Sequence, residues 1–221
     1  SDVYKRQPWN SLAEAKKKAQ SHPDGIVDLS VGNPVDPVAP GVQLAMASNA
    51  EASGYPTTAG TAQLQEAIRG NVARRTGAQP SSFGVLPVIG LKESIAWLPT
   101  LLGMRGQRVI IPSVAYPTYE VGALIAGAYP ERADDPRDFG DAELAFINSP
   151  SNPTGRVKTV EEMRAVVAWA RENNVIVASD ECYLALAWDD EKKPVSILDP
   201  RVTDGDNTGL IAMHSLSKSH N

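Results

Sequence analysis

The chain has 221 residues, with 21 basic against 26 acidic side chains and a net charge of −5 at pH 7. That balance gives no electrostatic reason to bind nucleic acid or an anionic membrane surface, so neither is expected as a partner. No apolar run approaches the ~18 residues that cross a bilayer, no secretory leader pattern opens the chain, and the single cysteine, Cys182, excludes an intramolecular disulfide framework; a cytoplasmic location is expected.

In chain order, the stretch from Trp9 to Gln20 reads as a helix with Trp9, Leu12, Ala15 and Ala19 on one face. Leu64, Ile68 and Val72 recur at i, i+4, i+8 and predict a second helix, and Met163, Val166, Val167 and Ala170 recur at i, i+3, i+4, i+7 and predict another. Apolar, β-branched runs at Val85 to Ile89, Arg108 to Ile111, Ala128 to Glu131, Leu144 to Asn148, Val175 to Ser179 and Leu210 to His214 predict strands. Strands alternating with amphipathic helices indicate an α/β protein whose sheet is covered by helices. The charge-dense run Asp189 to Lys193 reads as a solvated loop.

The polar motifs fall just after strands. Gly90-Leu91-Lys92-Glu93 follows the first, where Gly90 is expected to permit a tight turn and the next helix to offer unpaired N–H groups to a phosphate. Tyr116-Pro117 follows the second. Ser151-Asn152-Pro153-Thr154-Gly155, then Ser179-Asp180-Glu181-Cys182-Tyr183, then Ser215-Leu216-Ser217-Lys218 follow later ones. Ligands of open α/β sheets bind at that edge. Together these are the parts of a pyridoxal phosphate site. Such a cofactor needs a lysine amine to hold its aldehyde as a Schiff base and a carboxylate to keep its pyridine nitrogen protonated. Lys218 suits the first role and Asp180 the second. Asn152 and Tyr183 can donate hydrogen bonds to the ring's phenolate oxygen.

Singly, each motif has an ordinary structural explanation. Asn152 to Gly155 is a good turn, Asp180 a helix cap, Tyr55 and Tyr116 half-buried aromatics, and Cys182 a small buried hydrophobe. His22, His214 and His220 lack metal-ligand spacing. The order and spacing of five motifs after successive strands outweigh those readings. Ser215-x-x-Lys218 also fits a serine-nucleophile motif, but the Ser-Asp-Asn and Lys-Thr-Gly elements that reading requires are missing.

On these motifs the chain resembles fold-type I pyridoxal phosphate enzymes of the class I/II aminotransferases. Asp28 to Pro37, Gly54 to Thr61 and Ala115 to Gly122 resemble the actinobacterial succinyldiaminopimelate aminotransferases in particular. The resemblance implies a three-layer α/β/α large domain with a mostly parallel sheet, truncated here. Residues 1–7 match nothing in it and are read as an artefact, residues 8–48 as an N-terminal arm and small-domain segment, and residues 49–221 as an incomplete cofactor-binding large domain. It also implies backbone contacts from Leu91 and Lys92 and a hydroxyl contact from Ser215 to the cofactor phosphate, and stacking of Tyr116 on the cofactor ring. Tyr55 is implied to reach the phosphate of the neighbouring subunit in a homodimer, and Gly32 to border the substrate carboxylate.

The activity so implied is transfer of an amino group between glutamate/2-oxoglutarate and N-succinyl-LL-2,6-diaminopimelate, a step of lysine and diaminopimelate biosynthesis, with small amino and 2-oxo acids as partners. Lys218 would be the catalytic general base and acid. In the family an interior antiparallel strand and two arginines, one for the phosphate and one for the substrate carboxylate, follow the lysine. The chain is therefore expected to be an N-terminal fragment, inactive alone. Two alternatives stand beside this reading: another enzyme using the same cofactor, such as a β-lyase or an aminotransferase of different specificity, and a non-enzymatic effector-sensing domain. Regulators of the latter kind carry a basic DNA-binding module ahead of the domain, whereas here the aminotransferase-like pattern is already under way at about Trp9.

Overall fold

The computed structural model describes residues 12–29, 32 and 34–220. Two compact units are present, the second beginning at Pro34. In the first, helix α1 (Ala13–Gln20) buries none of its residues, and Lys16 pairs with Asp28 at 2.9 Å. Leu12, Ala15 and Ala19 thus form no buried stripe, while Trp9 of that expected face, like Ser1 to Gln7, lies outside the described residues.

The second unit contains α2 (Pro40–Ser48), α3 (Ala62–Thr76), α4 (Leu91–Leu101), β1 (Arg108–Ile111), α5 (Thr118–Ile125), β2 (Tyr129–Arg132), β3 (Leu144–Asn148), α6 (Val160–Asn173), β4 (Ile176–Asp180), α7 (Pro200–Thr203) and β5 (Leu210–Met213). The strands form one sheet in the order β2-β1-β3-β4-β5, and every pairing is parallel. Pro130 is confined to the edge strand β2, where its missing N–H breaks no interior ladder.

Alternation along the strands divides the core in two. Ile110, Ala145, Ile147 and Val177 face one side and pack with Val72 of α3, Val202 of α7 and the α6 stripe Met163, Val166, Val167 and Ala170. Val109, Ile111, Leu144, Phe146, Ala178 and Met213 face the other and pack with Ile95 of α4 and with Tyr119 and Ala123 of α5. The fold is thus a three-layer α/β/α arrangement around a parallel sheet. Helix α6 starts with a capping box, Thr159 and Glu162 satisfying each other's backbone N–H, and ends at Asn174 in the left-handed region (φ 55°).

The expected strand at Val85 to Ile89 is a correction: these residues belong to no strand. The β-branched pattern is present, but a strand exists only when another backbone row takes its hydrogen bonds. Among the described residues none does so, and Ile89 stands 97% exposed. Among the described residues β5 pairs with β4 alone.

Helices α4 and α5 cross closely at Gly122, where a Cβ would lie 2.8 Å from the Ala96 carbonyl oxygen and 2.9 Å from its Cα. Both obstacles are backbone and cannot turn aside. Gly122→Ala is expected to cost about 1–3 kcal/mol in urea denaturation of the whole protein, because the helices must separate.

Candidate active site

Asp180 is the last residue of β4, and its parity turns the carboxylate toward the α4/α5 layer, where it is buried. Its Oδ2 accepts a 2.6 Å hydrogen bond from the Tyr119 hydroxyl, and its Oδ1 accepts one from the Cys182 backbone N–H at 3.1 Å. Burial, then the neighbouring Asp180 charge, hold the Tyr119 phenol far above its ordinary range, so it stays protonated and remains a donor. The same causes push up the Cys182 thiol, with an opposing pull from the Lys218 ammonium. Lys218 therefore lies within electrostatic reach of the Asp180–Cys182 corner. Cys182 is half-buried, more open than a core hydrophobe.

Asn148 ends β3 in register with Asp180. Its Nδ2 donates to the Asp180 carbonyl at 3.0 Å and to the Pro150 carbonyl at 3.2 Å, and its Oδ1 accepts the Asn152 N–H at 2.8 Å. One buried amide thus ties the Asn152 loop to the strand carrying Asp180. Burial raises the Tyr183 phenol, with added effects from Cys182, Asp180 and Tyr116. The Lys92 ammonium sits 5.5 Å from the Tyr116 ring centroid, a cation–π contact.

Gly90 caps α4 in an extended conformation (φ −171°, ψ 149°) that any residue adopts. The expected tight turn is therefore corrected, and nothing lies within 4 Å of where a Cβ would be, so the space beside the helix start is open. No side chain caps the helix, so its first N–H groups, Leu91 and Lys92 among them, keep their donors for another acceptor. Ser215 and Lys218 follow β5, with the Ser215 hydroxyl 2.8 Å from that of Ser217. A cavity of about 150 Å³ opens between the ends of β1 and β3, where the strand order reverses, and Asn148 and Lys158 line it.

The structure brings Leu91, Lys92, Tyr116, Asn152, Asp180, Tyr183, Ser215 and Lys218 to one edge of the sheet, at strand C-terminal ends or helix starts. It does not bring in Tyr55, whose ring is 100% exposed. Gly32 is an exposed residue of the first unit. Sequence reasoning missed Tyr119 and Asn148. Both carried a signal: a tyrosine one helical turn past Tyr116 in an apolar helix, and a polar end to the apolar strand LAFIN, each needing a buried partner.

Residues 24–221 match the sequence profile of the family Aminotransferase class I and II. The chain belongs to this family. It is 58% identical over 216 residues to a probable aminotransferase of Mycobacterium tuberculosis, covering 96% of this chain and 51% of that protein. It is 45% identical to the 4-dedimethylamino-4-oxo-anhydrotetracycline transaminase OxyQ of Streptomyces rimosus, covering 97% and 60%. Among solved structures it is similar to the N-succinyldiaminopimelate aminotransferase of Mycobacterium tuberculosis, with a TM-score of 0.73 at 28% identity over 87% of this chain and 54% of that one. The chain thus spans about half the length of the curated relatives it matches.

Class I and II aminotransferases depend on pyridoxal phosphate, and the residues here fit it. A buried carboxylate with two oriented donors suits a pyridinium, an uncapped helix start with open space at Gly90 suits a phosphate, and a lysine follows β5, the strand paired with the one that carries that carboxylate. Among the described residues no cluster suits a metal ion, and no helix is long and apolar enough to cross a membrane. Tyr119→Phe leaves the buried Asp180 Oδ2 without its donor. It is expected to destabilise the whole protein by about 1–3 kcal/mol and to weaken its affinity for added pyridoxal phosphate, read by denaturation and by cofactor titration.

Proposed function

We propose that this chain is the N-terminal part of a pyridoxal phosphate-dependent transaminase, with residues 8–48 as arm and small-domain segment and residues 49–221 as the incomplete cofactor-binding domain. The carrying observation is the convergence of Asp180, its two donors and Lys218 at one corner of the sheet edge. When bound, the cofactor supplies a protonated ring that accepts the electrons of a substrate carbanion. Asp180 holds that ring proton, and Tyr116 covers a ring face. Asn152 and Tyr183 donate to the phenolate oxygen. The Leu91 and Lys92 N–H groups and the Ser215 hydroxyl take the phosphate. Lys218 would hold the aldehyde through its amine and would serve as the general base and acid at the substrate α-carbon.

The amino group passes between glutamate/2-oxoglutarate and N-succinyl-LL-2,6-diaminopimelate in lysine and diaminopimelate synthesis, with Gly32 bordering the substrate carboxylate. The likeness to N-succinyldiaminopimelate aminotransferase supports this reading. The higher identity to OxyQ favours a second one, a transaminase that aminates a bulky ketone. The protein works in the cytoplasm as a homodimer, and a Tyr55 ring wholly outside its own subunit's packing suits a reach into the partner.

Product analysis on the whole protein separates the readings. Glutamate with N-succinyl-2-amino-6-oxopimelate should yield 2-oxoglutarate and the succinylated diamine. Turnover of a polycyclic ketone with none of the pimelate establishes the second reading, and absence of any transamination by a cofactor-loaded protein refutes both. The isolated 221 residues are expected to lack a sharp two-state unfolding midpoint, since β5 leaves an open row of backbone groups; a sharp one would contradict the fragment assignment.

A further inference from the structure

Behind the sheet from Asp180, strands β4 and β5 are joined by a second polar contact. The Glu181 N–H donates to the Met213 carbonyl at 2.9 Å, which sets Glu181 beside His214. The Glu181 side chain is wholly buried, and its Oε1 accepts the Ile197 N–H at 2.7 Å. Its Oε2 lies 3.4 Å from His214 Nε2; both atoms are shielded from solvent and neither has a hydrogen bond of good geometry to another group, although the Ser179 and Ser196 hydroxyls stand close to the carboxyl. Two bare acceptors at that distance repel, whereas one proton between them makes a donor and an acceptor.

We propose that Glu181 and His214 share a single proton and act as positioning residues, a net-neutral clamp across β4 and β5 that fixes Asp180 on one strand and the Ser215–Lys218 segment on the other. The assignment rests on the transaminase reading for what is positioned. The electrostatics favour the uncharged partners. Burial, eased by the Ile197 N–H and the Ser196 and Ser179 side chains, raises the Glu181 carboxyl to about 7, with a smaller push from Asp180. Burial, with the Arg75 charge on α3 adding to it, lowers His214 to about 4.

The linkage has a distinctive sign pattern. In the unfolded chain, between the ordinary values of 4.5 for Glu181 and 6.5 for His214, the carboxylate is ionised and the imidazole protonated. In the folded chain the proton has moved to the carboxyl. Folding takes up no net proton, so stability from this pair is flat across that interval. Glu181→Gln leaves only His214, whose folded value is depressed, so its stability is present above about 6.5 and lost as pH falls. His214→Gln leaves only Glu181, whose folded value is raised, so its stability is present below about 4.5 and lost as pH rises. Relative to wild type, the two variants are expected to change unfolding equilibria with opposite slopes, up to about tenfold per pH unit.

The test uses the whole protein. Its unfolding midpoint is measured against pH for wild type, Glu181→Gln, His214→Gln and the double variant, alongside titration with pyridoxal phosphate. Opposite slopes in the single variants, a flat double variant and cofactor affinity weakened about tenfold in the singles but recovered in the double support the clamp. Parallel slopes, or unchanged cofactor affinity in all variants, overturn it. Should the single variants not fold, an NMR titration of wild-type His214 decides: an imidazole neutral at pH 5.5 supports the pair, and one titrating at its ordinary value overturns it. Wild type that binds no cofactor refutes the transaminase reading instead, whatever the slopes.

Discussion

Lys218→Ala in the whole protein is expected to lower transamination by at least about ten-thousand-fold, because the proposed mechanism gives one amine two functions. As general base and acid it is worth roughly 10²- to 10⁴-fold, and its covalent hold on the aldehyde adds to that. Cofactor binding should suffer much less than turnover. The α4 N–H groups, the Asp180 carboxylate and the Tyr116 ring all survive the substitution, so the variant should still take up pyridoxal phosphate in titration. Borohydride should then fail to fix the cofactor to the protein, whereas in wild type it should do so permanently. A small primary amine added to the medium should restore part of the proton transfer. If the variant keeps wild-type turnover, Lys218 is not the catalytic base.

Asp180→Asn tests the opposite end of the cofactor. The amide has the size of the carboxylate; its oxygen can still accept from the Cys182 N–H, and its NH2 can donate to the Tyr119 hydroxyl, which turns to accept, so the fold should be retained. It cannot hold a positive ring nitrogen. The electron sink weakens in the transition state far more than in the ground state, and the expected result is a loss on the order of 10³-fold in kcat with KM little changed. A rise confined to KM would mean that Asp180 serves only in binding.

Much of this arrangement was legible from residues alone, and the exceptions have a common cause. Leu144 to Asn148 and the Met163 to Ala170 stripe announced themselves because their burial is written in a local period of two or of 3.6. Val85 to Ile89 carried an equally good pattern, yet pairing is a property of two segments and its partner row is not among the described residues. At the site, Asp180, Asn152 and Lys218 were legible through motif order. Tyr119 and Asn148 were not, since their importance lies in what they face across the sheet 61 and 32 residues away in sequence. His214 was set aside for lacking metal-ligand spacing, although Glu181 is its counterpart by strand register, which no spacing rule reports.

The strand order also bears on synthesis. After β1 is made, β2 adds to one side of it, and β3, β4 and β5 then add successively to the other. Among the described strands none must wedge between two that are already paired. A nascent chain emerging from the ribosome can therefore lay down this sheet outward as it appears, over the roughly 5–20 s that translation from Arg108 to Met213 takes at about 5–20 residues per second. Throughout that time β2 stays open on one side and the newest strand is the open edge on the other, so on that side the chain's exposure to chaperones and to off-pathway association moves along the sheet with elongation, and a pause just after β5 would hold β5 in that position.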